Sequence, residues 1–88
     1  MGNIFIADTY SSMIREVVAK TGIIHTVAGT GTGGDYGTGG YSGDGGKATQ
    51  ADLNYPHDVF VDSSGNIFIA DTFNFVVREV VAKTDSNR

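Results

Sequence analysis

GNIFIADTYSSMIREVVAKT, residues 2–21, returns as GNIFIADTFNFVVREVVAKT, residues 65–84, an offset of 63 positions (65 minus 2). Fifteen of the twenty positions are identical, and the five differences (Tyr10/Phe73, Ser11/Asn74, Ser12/Phe75, Met13/Val76, Ile14/Val77) are contiguous, which marks a tolerant turn and strand start between two fixed elements. Units of a repeat architecture bury their apolar faces against neighbouring units, and 88 residues hold only about one and a half periods. The duplication therefore points outward, to other copies.

Within the first copy, residues 3–7 (NIFIA) are short, rich in strand formers and apolar on both faces, with Ile4 and Ile6 on one side and Phe5 and Ala7 on the other. A reversal at residues 10–12 leads into a second strand over 13–19, and Lys20-Thr21-Gly22 turns the chain into a third over 23–28. Such short connections predict an antiparallel meander and exclude a parallel sheet, whose crossovers need about a dozen residues or more. Ten of the thirteen glycines then fall between Gly29 and Gly46, so this stretch reads as a long loop. Residues 47–53 (KATQADL) predict one or two helical turns with Ala48, Ala51 and Leu53 facing inward. Pro56, the only proline, opens an extended run over 57–62, where it costs no ladder bond. Ser63-Ser64-Gly65 turns into the second copy.

Composition narrows the function. Ten acidic against six dispersed basic residues give a net charge of −4, which lacks the concentrated positive footprint that nucleic acid requires. No apolar run approaches the length needed to span a membrane, and the N-terminus enters strand pattern with no basic region or cleavage signal. The copy beginning directly after Met1 reads as an excised or engineered fragment. Without cysteine there is no disulfide and no thiolate zinc site, so partnership is the remaining supplement for a core this small.

Four strand types make one period: A (57–62), B (66–70), C (76–82) and D (23–28). The chain divides into a partial blade over 1–28 (B, C, D), a Gly-rich loop with a short helical turn over 29–55, a partial blade over 56–84 (A, B, C) and a frayed tail over 85–88. A strand-only period with meander turns and two-faced apolar strands suits a β-propeller blade, packed face to face between neighbours.

The residues Leu53-Asn54-Tyr55-Pro56, then Asp58-Val59-Phe60-Val61-Asp62-Ser63-Ser64-Gly65-Asn66 and the strand closing in Ala70-Asp71-Thr72, resemble the repeats of NHL propellers. The stretch from Tyr41 to Thr49 with Leu53 is similar to a longer variant found in bacterial surface and secreted proteins. The resemblance covers nearly the whole chain and implies an all-β, NHL-type propeller, incomplete in one chain and completed by oligomerisation. Family members usually carry Asn and Arg after Ala-Asp-Thr. Asn74 keeps the first and Ser11 replaces it, while Met13 and Val76 stand at the Arg position, which weakens an anionic-ligand or RNA surface. The later basic position is kept as Arg15 and Arg78.

Asp8 and Asp71 end strand B, where a carboxylate accepts backbone N–H bonds from the following turn and holds the reversal. Arg15 and Arg78 are expected to lie over a neighbouring strand and pair with an acidic group. Gly65 and Pro56 are expected to shape turns. Residues 29–34 match GxGxxG after a strand, but a Gly-rich continuation replaces the helix that a dinucleotide needs. Asp35 and Asp44, among free loop carbonyls, are the calcium candidates, although neither EF-hand nor GGxGxD spacing is present. His25 and His57 are the zinc candidates, because NHL-like amidating lyases bind zinc through histidines from several blades.

The expected function is a non-enzymatic, self-assembling propeller scaffold that binds no nucleic acid or membrane and whose parent, extracellular or on a bacterial surface, binds protein or glycan. The alternatives are a zinc-dependent lyase assembled from symmetric chains and a calcium-dependent adhesive module.

Overall fold

The computed structural model describes residues 2–31, 42–82 and 86–87. The fold is all-β, with two antiparallel sheets and no α-helix among the described residues. The first sheet has three strands in chain order: β1 (Ile4–Asp8), β2 (Met13–Val17) and β3 (Ile24–Ala28). The second holds β4 (Asp58–Val61), β5 (Ile67–Asp71), β6 (Val76–Val81) and β7 (Ser86–Asn87), also in chain order.

Repeated sequence gives repeated register. β1 pairs with β2 through Ile4↔Val17, Ile6↔Arg15 and Asp8↔Met13, and β5 pairs with β6 through Ile67↔Val80, Ile69↔Arg78 and Asp71↔Val76. The Gly-Asn that opens each copy sets this register by the same bond. The Asn3 carboxamide oxygen accepts the Ala19 N–H at 2.9 Å, and Asn66 accepts the Ala82 N–H at 2.9 Å. A 3₁₀ turn joins the strands in both copies, Thr9–Ser11 and Thr72–Asn74.

β2 ends at Val17, short of the expected residue 19, because Val18 already serves the next turn. Its N–H donates to the Ile23 carbonyl and its carbonyl accepts from Gly22 at 2.7 Å. The tail departs further from expectation. Residues 86–87 are not frayed but form β7 on the free edge of β6, with Val80↔Asn87 and Val81↔Ser86, and Ser86 also bridges Lys47. An edge strand presents unpaired N–H and C=O groups, and the two residues of β7 pair with those of β6.

The core lies between the sheets. Ile14 and Ala28 from the first sheet meet Ile67, Ile69 and Val80 from the second, with Phe5, Ala7, Val59 and Val61 packed around them. Residues 42–55 complete it. Ala48–Gln50 forms the short helical turn, a 3₁₀ turn, and Ala48, Ala51 and Leu53 are buried. This segment enters through a tight approach, since a Cβ on Gly43 would lie 2.5 Å from the Ala51 Cα.

Candidate functional site

Segment 42–55 is held from both sheets, and the groups that hold it form the most heavily engaged polar site among the described residues. On the first sheet, the Gly29 N–H donates to the Ala48 carbonyl at 3.0 Å, the Tyr55 N–H to Ser12 Oγ at 3.2 Å and Thr9 Oγ1 to the Pro56 carbonyl at 2.8 Å. Thr30 Oγ1 donates to Asp52 Oδ1 at 2.6 Å.

On the second sheet the holder is Arg78, only 1% exposed. Its Nη1 donates to the Asp52 carbonyl at 2.7 Å and to Asp71 Oδ2 at 3.2 Å; its Nη2 donates to the Ser42 carbonyl and to Asp44 Oδ1, both at 2.7 Å. A buried guanidinium is costly unless its charge is paired and its N–H groups are bonded; here two carbonyls and two carboxylates meet both Nη groups, while Nε is buried without an acceptor. Asp71, fully buried, accepts the Asn54 N–H at 2.7 Å through Oδ1 and Asn74 Nδ2 at 2.9 Å through Oδ2. The N–H it takes from the backbone therefore comes from the segment before β4, while the turn after β5 contributes the Asn74 side chain.

The first copy has the same pair in the same register, and it is empty-handed. Arg15 lies across from Ile6 as Arg78 lies across from Ile69. Neither the Asp8 carboxylate nor the Arg15 guanidinium has a hydrogen bond or ion pair among the described residues, whereas Asp71 and Arg78 pair with each other; Nε is buried without an acceptor in both arginines, so the difference lies in the Nη groups. Among the described residues, no segment of the 42–55 kind packs on this side of the first sheet.

Tyr55 is a second joint between the copies. It is buried and stacks edge-on with Tyr10 of the first copy at 5.1 Å between ring centroids, and tilted with Phe73, the Tyr10 equivalent, at 4.9 Å. His57 is exposed and adds an edge contact to Tyr55 at 5.5 Å. His25 is also exposed and sits 3.1 Å from Glu16. The structure does not bring the two histidines together, and no group of three metal-ligating side chains occurs among the described residues. Asp44 is engaged by Arg78, while Asp35 lies outside the described residues. Gly65 adopts φ +87° at the β4–β5 turn, and Pro56 is buried at the entry to β4.

Sequence reasoning missed Ser42, Asp52 and Asn54, because they meet Arg78 and Asp71 through backbone groups, which carry no side-chain signature. Tyr55 stood in view within Leu-Asn-Tyr-Pro, but its contact with two equivalent aromatics depends on a fold-level relation.

No family model matches the chain. It is 30% identical over 79 residues to the protein SUPPRESSOR OF QUENCHING 1, chloroplastic, of Arabidopsis thaliana, a match that takes 90% of this chain and 7% of that protein. The chain thus spans a small part of the length of this relative.

Proposed function

We propose that the chain is a piece of an NHL-type β-propeller acting as a non-enzymatic scaffold, in which like units stack face to face and display loops for a protein or glycan ligand. One observation carries this reading: the two outward faces match the two faces that already meet inside the chain. On the second sheet, Ile67, Ile69 and Val80 are buried in the core against the first sheet, and Asp71 and Arg78 on the same face are buried under segment 42–55. Their equivalents Ile4, Ile6, Asp8, Arg15 and Val17 form the outer face of the first sheet, where Ile4 is 58% exposed. Conversely, Phe5, Ala7 and Ile14 pack into the core, while their equivalents Phe68, Ala70 and Val77 line an open depression of about 170 Å³ with Phe60.

A contact that forms once between two copies of a surface can form again between the next two, so stacking is head to tail. Propeller closure and an open stack both follow from that contact, depending on the rotation per unit. Val77 and Phe60, 72% and 67% exposed, would then become interior. Sedimentation across a range of concentrations is the test. Association that Val77→Lys abolishes, with the circular dichroism of the monomer unchanged, is the expected result; a concentration-independent monomer would overturn the reading.

A further inference from the structure

We infer that Asp8 and Arg15 form a receptor for a loop of the 42–54 type supplied by a neighbouring repeat unit, and that this loop is the specific element of the junction between units. The inference rests on the stacking reading above and adds to it the chemistry of what is recognised. The two copies supply the comparison. Asp71 and Arg78 at 1% exposure or less grip their loop through its Ser42 and Asp52 carbonyls, its Asp44 carboxylate and its Asn54 N–H. Asp8 and Arg15 stand at the same offset, in the same strand register and with the same neighbours, Ile4 and Ile6 for Ile67 and Ile69.

The ligand is therefore defined by donors and acceptors. It must offer two convergent carbonyls and a carboxylate to a guanidinium, and one N–H to a carboxylate, in a loop whose Gly43 lets the chain close on itself. The chain's own loop cannot serve both sites, because Arg78 already holds it. Residues that would stand before Gly2 in a further repeat are the natural source, since in the second copy the loop precedes Gly65. Apolar stacking alone would leave the Arg15 charge buried and unpaired, so the loop also decides which face may dock.

The test places residues 42–64 directly ahead of Gly2, so that Gly2 follows Ser64 as Gly65 does. The extended chain should melt at least about 5 °C higher than the 88-residue chain at equal concentration. Arg15→Ala should lower the melting temperature of the extended chain by about as much as Arg78→Ala lowers that of the original, and move the original by no more than about 2 °C. Asp44→Asn in the added loop alone should reproduce part of the loss. Equal effects of Arg15→Ala in both chains would overturn the inference while leaving face-to-face association, read by sedimentation, intact.

Should the extension fold poorly, a synthetic peptide of residues 42–56 is titrated into the ¹⁵N-labelled 88-residue chain. A saturating shift of the Arg15 Nε–H resonance, lost when the peptide carries Asp44→Asn, is expected. No shift at millimolar peptide would refute the receptor.

Discussion

Ser12 and Phe75 occupy the same place in the two copies and adopt the same left-handed backbone, φ 54° and φ 60°, closing the turn before β2 and β6. The turn thus dictates the conformation whichever residue fills it. Serine accepts it and uses Oγ to bind the Tyr55 N–H, whereas Phe75 is 93% exposed and gains no burial in return. A bulky L residue at positive φ is strained by about 1 kcal/mol or more, and asparagine tolerates the region better. Phe75→Asn should therefore raise stability by about 0.5–1 kcal/mol, read as a higher urea midpoint with unchanged slope at one low protein concentration.

Equivalent carboxylates should respond unequally. Asp71→Ala removes the partner of a guanidinium that is 1% exposed and should cost about 3–5 kcal/mol in denaturant unfolding. Asp8→Ala removes a group with no partner in the described structure and should cost under about 1 kcal/mol. Similar losses at the two positions would mean that the copies are not in the different states described above.

Two glycines at positive φ separate strain from crowding. Gly43, at φ +94°, would place a Cβ 2.5 Å from the Ala51 Cα; Gly22, at φ +71°, faces open space. Gly22→Ala should cost about 1 kcal/mol, the left-handed penalty alone. Gly43→Ala should cost about 2–4 kcal/mol, because the backbone of the clamped segment must move as well. Thermal unfolding of the pair at one concentration checks the difference.

Acid should weaken the β4–β5 hairpin. Desolvation pushes the Asp62 carboxyl up, but N–H bonds from the Asn66 backbone and side chain, from Ser64 and from Gly65 together outweigh it and hold the group below its ordinary value. A carboxyl depressed in the folded state stabilises it above the unfolded value, so this contribution is complete above about pH 5 and fades as the pH falls through 4. Asp62→Asn should flatten that part of the stability-against-pH curve and leave the neutral limb parallel to the parent's.

The strands and their antiparallel order were legible because the repeat supplied two independent readings of one pattern: two-faced apolar runs joined by three-residue turns. Inward Ala48, Ala51 and Leu53 were legible from spacing. The end of the chain was not, since Ser86-Asn87 has no strand preference and pairs only because β6 offers an edge. At the site, the positions of Asp71 and Arg78 could be marked from their place in the repeat, but not their unequal surroundings relative to Asp8 and Arg15. Identical residues carry identical local signals; what differs is whether another segment lies over them, a property of the assembly around each copy.

The grip of Arg78 on carbonyls 26 and 36 residues upstream also imposes a direction on synthesis. A nascent chain emerging from the ribosome can lay down segment 42–55 against the first sheet, but the segment stays unlatched until β6 has left the exit tunnel. The segment is thus sealed only by the sheet that follows it, and a nascent chain halted before β6 emerges keeps the latch open.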